Sequence, residues 1–359
     1  MIASLTRKRH SPIGVDIGRR SVKLVQLSAD HSSLVDAVRC ELPATGSTAS
    51  QESSDGESPS DDHLFIATLQ QAREGRNFRG RDAVICLNDR QLFLQNIRVP
   101  KQDDDALFRS VQQEAAGRIP FPVADTDIRY LEAADIRHGD AVMREIILVA
   151  CHRPVLDRTL AIVSNAGLRP IAVDIEPAAL LRSFSSQFRR AQDMQDRSLL
   201  VHIGQASTAV VIAEGDSALF IKYIDFGGQH LDQSVARSLK MQLAEASALR
   251  RYNGDRRTDR QDPEIARSVT RAIRPELDRL VAELSKCIRY HSVTFRGQPL
   301  ARLVLSGGEA AEELLEALSK RLGFKCELSD PFRVYPTPLD CGRHGQWDVA
   351  TGLALRAIK

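Results

Sequence analysis

Ile13-Gly14-Val15-Asp16-Ile17-Gly18, just after a short basic start, reads as a buried strand breaking into a glycine turn with a carboxylate at its tip. Such a turn suits a nucleotide phosphate. The carboxylate can hold a metal or a water, and bare backbone can approach the anion. A related turn, Val201-His202-Ile203-Gly204, recurs about half a chain later.

The surroundings of the two turns repeat as well. Strands are predicted at Ile13–Ile17, Ser21–Ser28 and Leu34–Glu41, then again at Leu199–Ile203, Thr208–Glu214 and Ser217–Asp225. Two similar α/β halves facing each other across a ligand cleft are the natural architecture. Between 44 and 62 the chain is Ser, Asp, Glu and Gly with little to bury, which predicts a disordered loop. A helix is expected from Leu64 to Arg73, and short strands at Asp82–Asn88 and Leu92–Val99. Residues 101–172 form a βα unit of their own. Its first helix follows Asp103-Asp104-Asp105, has Leu107, Phe108, Val111 and Ala115 as its apolar face, and ends at Pro120-Phe121-Pro122. A long amphipathic helix is predicted from about Pro275 to Phe295, and a late strand, Ala301–Leu305, runs into Ser306-Gly307-Gly308-Glu309.

Composition narrows the function classes. The net charge of +2 and 5% aromatic content give no support to a general nucleic-acid role. No apolar run reaches the ~18–20 residues of a membrane span. The six cysteines have no CxxC pair, as expected for reduced thiols in a cytoplasmic protein. The histidines show no paired metal spacing, and no Ser-His-Asp motif is present.

Several segments carry a family resemblance: IGVDIGRRSVKLVQLS, LFRSVQQEAAGRIPFP, LVACHRPVLDRTLAIVSNAGLRPIAVDIEPAAL, VHIGQASTAVVIAEG, YIDFGGQHL, LVLSGGEA and VATGLAL. In this order, and over nearly the whole chain, they resemble the PilM family of type IV pilus assembly proteins. These are actin-like ATPase-superfamily proteins related to FtsA. The resemblance implies an α/β actin-like fold of two halves with a nucleotide cleft and an inserted subdomain. The implied boundaries are 11–100 with 173–196 for the first half and 101–172 for the insert. The second half takes 197–230 with 299–359, and its helical subdomain 231–298. It also implies a cytoplasmic scaffold at the inner face of the membrane. The insert, through Leu107, Val111, Ile119, Pro120, Phe121 and Pro122, would bind the N-terminal tail of a PilN-like membrane protein. A pilus-assembly ATPase is a further implied partner.

ATP and Mg²⁺ are the implied cofactors. Asp16, Gly18, Ser21 and Lys23 match the first phosphate turn, with Asp16 holding metal through water; read alone, Lys23 is equally a solvated strand lysine. Gly204, Gln205, Ser207 and Thr208 supply the second turn, and Gly307, Gly308 and Glu309 the nucleoside turn. Three departures argue against efficient hydrolysis. Arg19 and Arg20 replace small residues; they pair with phosphates, fill the phosphate space or face solvent. His202 stands where an Asp is usual, and Mg²⁺ strongly prefers oxygen. Ser247 and Arg250 occupy a Glu-x-x-Lys position that holds ribose hydroxyls in relatives, so a carboxylate is missing. The alternatives are an active ATPase or small-molecule kinase on the same superfold, and an FtsA-like filament protein. A kinase also needs a general-base Asp near the sugar hydroxyl, and no clear candidate motif for it appears between 101 and 198. The filament reading wants a C-terminal amphipathic helix, for which the end at Lys359 leaves no room.

Overall fold

Alternating apolar residues at the start of the chain pair into a hairpin whose turn is Gly18–Ser21. The computed structural model describes residues 10–43, 59–138, 141–254, 262–295, 298–335 and 342–356. Strands β1 (Ile13–Ile17), β2 (Ser21–Leu27) and β3 (Leu34–Glu41) form a meander, followed by α1 (Pro59–Arg73) and β4 (Asp82–Leu87). Next come β5 (Phe93–Pro100), α2 (Asp104–Ala116), β6 (Thr126–His138) and β7 (Ala141–His152). Then α3 (Arg153–Asn165), β8 (Arg169–Ile175) and α4 (Glu176–Ser185) lead to a second meander. It consists of β9 (Arg197–Ile203), β10 (Thr208–Glu214) and β11 (Ser217–Ile224). Helices α5 (Gly228–Leu239), α6 (Leu243–Gly254) and α7 (Pro263–Thr294) precede β12 (Leu300–Ser306), α8 (Glu312–Leu322), β13 (Cys326–Leu328) and α9 (Asp348–Ala354).

The strands assemble into two five-stranded sheets of the same plan, β3-β2-β1-β4-β8 and β11-β10-β9-β12-β13. In each, an antiparallel meander is extended by two parallel crossovers. Strands covered on both faces read as continuous apolar runs, and β1, β2, β9 and β10 are almost wholly buried.

The third sheet, β5-β7-β6, is the insert. Helix α2 covers one of its faces, with Leu107, Val111 and Ala115 against Ile97, Val99, Ile146 and Leu148. The opposite face, Ile147 and Val149, packs on Leu180, Leu181 and Phe184 of α4 and on Leu200, Val211 and Val304 of the second sheet. Pairing therefore divides the stretch 101–172. Its sheet begins with β5, before residue 101. Helix α3 sends Ile162 and Val163 into the core of the first sheet, and β8 pairs with β4. Local periodicity shows that a strand exists but not which sheet receives it.

Three further differences have physical causes. Residues 59–62 of the predicted loop open α1, while 44–58 lie outside the described residues. The long helix starts at Pro263, capped by Asp262, and continues through Pro275. Buried Val269 and Ala272 on one side and Leu277 and Leu280 on the other outweigh the roughly 3 kcal/mol an internal proline costs. The C-terminal helix α9 crosses to the first half, where Val349 and Leu353 meet Val84 and Ala179. Cys40, Cys86, Cys151, Cys287 and Cys326 are free thiols.

The crossing needs two glycines. A Cβ on Gly14 would overlap the Ala350 carbonyl oxygen, and one on Gly352 would overlap the Ala179 carbonyl oxygen. Gly14→Val should therefore destabilise the chain by about 3 kcal/mol, the upper end for overpacking, read as a lower urea midpoint with unchanged slope.

Candidate functional site

The two glycine turns have the same internal bond. Gly18 N–H donates to Ser21 O (3.1 Å), and Gly204 N–H donates to Ser207 O (2.9 Å). The match follows from Gly18-Arg19-Arg20-Ser21 and Gly204-Gln205-Ala206-Ser207 closing equivalent hairpins, β1–β2 and β9–β10. A third turn follows β12. Gly307 sits at φ +100°, where a Cβ would strike the Ile203 backbone, and its N–H donates to Gly345 O (2.7 Å). Glu309 N–H reaches Ile203 O at 3.3 Å, so this turn is stitched to the end of β9.

At the floor of the cleft the charges are matched within the protein. Hairpin register sets Lys23 opposite Asp16, and Nζ donates to Asp16 Oδ2 at 2.7 Å, both residues being buried. His202 is buried beside them. Its Nδ1 lies 3.0 Å from Ser306 Oγ, and Nε2 lies 3.6 Å from Glu176 Oε1. Burial, with the Lys23 charge adding to it, pushes the His202 pKa down to about 4, so the ring is neutral. Glu176 opens α4 and brings a carboxyl from the first half to the second. Tyr223 Oη donates to its Oε2 at 3.3 Å. Burial, reinforced by Asp16 and Asp89, pushes Glu176 up to about 8. Asp89, just after β4, is also raised by burial, although a bond from Ser207 works the other way.

The nucleoside side is an ion-pair cluster. Arg250 donates from Nε to Asp232 Oδ1 (2.6 Å), from Nη1 to Glu309 Oε2 (2.7 Å) and from Nη2 to Gly228 O (3.4 Å). Arg251 Nη2 reaches Gln205 Oε1 and Glu309 Oε1, both at 2.7 Å. Burial opposes ionisation of Glu309, yet Arg250 and Arg251 outweigh it and hold the carboxyl below its usual range. A Cβ on Gly228 would overlap Glu309 Oε1, so a side chain there would displace the carboxylate that Arg250 and Arg251 hold. Arg20 crosses the cleft from the first turn and donates to Ser247 Oγ at 3.3 Å.

Most of the cofactor-site residues expected from sequence lie in or beside these three turns, with exceptions. Arg19 is exposed. Thr208 is fully buried, and its hydroxyl donates to Phe226 O (2.7 Å) rather than offering itself to a ligand. Glu176, Tyr223, Asp89, Asp232 and Arg251 were not anticipated. A carboxylate in the first turn of a helix looks like an ordinary dipole partner; only the fold brings Glu176 to His202. Arg251 was legible as the neighbour of Arg250 on a charged helix.

The donor set does not fit a divalent cation. Asp16 is held by Lys23, and His202 offers a neutral nitrogen where Mg²⁺ wants oxygen. Among the described residues no group of three or more His, Cys, Asp or Glu is placed to hold a metal.

On the insert, Leu107 and Val111 are fully buried in its own core, so they fasten α2 to the sheet and present no surface. Ile119 packs on the same core. Phe121 stacks on His152 with centroids 5.4 Å apart, between the exposed Pro120 and Pro122. The exposed apolar group of α2 is Phe108, 40% accessible, tilted against Tyr130. A cavity of about 540 Å³ lies between the edges of β5 and β11, lined among others by Phe93, Asn96, Ile221 and Tyr290. Asn96 spans it at one point, donating from Nδ2 to Ile221 O at 2.7 Å.

Paired sheets of one plan, each with a Gly-x-x-Ser turn toward a shared cleft, define an actin-like protein. Solved structures carry the same fold. A PilM-PilN type IV pilus biogenesis complex superposes with a TM-score of 0.77 at 22% identity, over 97% of this chain and 98% of that one. Ethanolamine utilization protein EutJ from Carboxydothermus hydrogenoformans gives 0.57 at 16% identity, over 96% and 89%. MreB5 of Spiroplasma citri bound to AMPPNP gives 0.50 at 10% identity, over 96% and 95%. The model of the family described as type IV pilus assembly protein PilM matches residues 14–358, and the chain belongs to that family.

Two measurements probe this site. Removing Arg250 leaves Asp232 and Glu309 buried without their shared partner, so Arg250→Ala should cost about 3–5 kcal/mol in urea unfolding. The pH dependence has two arms. His202 has a folded pKa below its ordinary 6.5, so its contribution is present above 6.5 and is lost as pH falls toward about 4. Glu176 has a folded pKa above its ordinary 4.5, so its contribution is full below 4.5 and is lost as pH rises through about 8. Glu176→Gln should remove the alkaline arm, and its thermal midpoint should fall less than the parent's between about pH 6 and pH 9.

Proposed function

We propose that this chain is a cytoplasmic scaffold of type IV pilus assembly, or of a related secretion or competence machine. In this reading it binds the N-terminal tail of a PilN-like inner-membrane protein through the β5–α2–β6–β7 unit. The partner recruits it to the inner face of the membrane, and a pilus-assembly ATPase is a further contact. Membership of the PilM family supports the process, and the PilM-PilN complex of the same fold supports the partner. Among the described residues no helix is long and apolar enough to cross a membrane. The observation that carries the reading is local. The insert satisfies its core with Leu107 and Val111, yet keeps Phe108, Phe121, Pro122 and Val123 partly or largely accessible. Exposed apolar groups that gather into one patch mark interaction sites.

The cleft, in the same proposal, takes a nucleotide without efficient turnover. Two glycine turns of phosphate-binding type, closed by the same internal bond, support binding. The Lys23-bound Asp16 and neutral His202 argue against an oriented metal and water.

Deleting 101–172 is a poor test, because it removes α3 and part of β8 from the first sheet. Surface substitution is cleaner. Phe108→Glu should weaken capture of a PilN-like tail peptide at least ~10-fold, about 1.4 kcal/mol, with the thermal midpoint unchanged. Full retention of the peptide by that variant and by Phe121→Glu would count against the assigned face.

A further inference from the structure

We propose that the cleft binds its nucleoside polyphosphate as the metal-free anion, with Arg20 and Arg251 as a guanidinium clamp in the place of a divalent cation. The inference rests on the reading of the cleft as a nucleotide site.

Three arginines meet there, and they are not equivalent. Arg250 has Nε, Nη1 and Nη2 each directed at a protein acceptor: Asp232, Glu309 and the Gly228 carbonyl. It is a structural member of the cluster. Arg251 uses one nitrogen, Nη2, for both Gln205 and Glu309. Arg20 makes a single long bond to Ser247. The Nε atoms of Arg20 and Arg251 are both buried, and neither has a hydrogen-bond partner. A buried donor without an acceptor is costly, and more so on a charged group. Two such donors in one cleft call for an anion.

The two side chains converge from opposite halves. Arg20 lies in the β1–β2 turn, and its contact Ser247 stands one helical turn before Arg251 on the same face of α6. Burial pushes the Arg251 pKa down, and the Arg20 and Arg250 charges add to this against the pull of Glu309. An anion between Arg20 and Arg251 relieves that repulsion and satisfies both orphaned donors. A phosphate matches the planar fork of a guanidinium, which binds it through paired N–H groups.

The same cleft discourages a cation. Lys23 Nζ lies 2.7 Å from Asp16 Oδ2, so the charge of that carboxylate is already matched by an ammonium. The imidazole of His202 supplies no oxygen. Phosphate charge is then neutralised by Arg20 and Arg251 rather than by Mg²⁺. Because Arg20 and Arg251 belong to different halves, the ligand itself links the halves.

Calorimetric titration of the full chain with ATP, in EDTA and in excess MgCl₂, separates the outcomes. The expected result is an affinity in EDTA equal to or tighter than in Mg²⁺, and at least ~10-fold weaker for Arg20→Ala and Arg251→Ala. Arg20→Lys and Arg251→Lys keep the charge, lose the fork and should fall between; they serve if an alanine variant fails to fold by circular dichroism. Binding that needs Mg²⁺, or variants that bind in EDTA like the parent, overturns the clamp while leaving the nucleotide reading intact. No heat with ATP in either buffer removes the nucleotide reading and the clamp together.

Discussion

Backbone against backbone, without side chains between, is the constraint on which this molecule depends. Helix α9 lies so close to β1 and α4 that Gly14 and Gly352 have no room for a methyl group. The contact ties the last described helix to the first strand and closes the apolar layer over β1, β2 and β4. Because β1 also carries Asp16 and leads into the Gly18 turn, the same close packing sets where the floor of the cleft stands. Trp347, Phe332 and Tyr335 complete this layer from the second half's side of the sequence, so the crossing is anchored by large buried groups as well as by small ones.

Much of the fold was legible because its signals are local. Glycine turns preceded by Ile13–Ile17 and Leu199–Ile203 announce two equivalent strands, and the meanders that follow show plain alternation. What local pattern cannot carry is partnership. Nothing in Pro170–Asp174 says that it pairs with β4 rather than with the insert, since parallel strands meet through long crossovers. Nothing in Val349-Ala350-Thr351 says that it returns to residue 14. The site follows the same division. Asp16, Gly204 and Glu309 lie in recognisable turns, whereas Glu176 and Tyr223 matter only because two distant elements place them against His202. Leu107 and Val111 show the reverse error. An amphipathic face was legible, but its apolar stripe serves the insert's own sheet, and the outward residue is the adjacent Phe108.

Electrostatics in the cleft is organised by pairing rather than by open charge. Lys23 meets Asp16, Arg250 meets Asp232 and Glu309, and His202, set between Ser306 and Glu176, stays neutral under burial. Such buried pairs contribute little net stability compared with apolar packing, but they strongly resist losing one member. They therefore hold specific side chains at specific places, which suits a binding site more than a cooperative core.

The packing of the insert has a mechanical consequence. Its outer face carries the accessible phenylalanines, while Ile147 and Val149 on its inner face are buried jointly with α4 of the first half and strands of the second. Asn96 adds a direct bond to Ile221 in β11. A pull applied to the insert is thus borne by both halves at once, and any rotation of one half against the other must shear this shared layer. The insert therefore couples the two halves, because a displacement of either one disturbs the apolar layer that it shares with both.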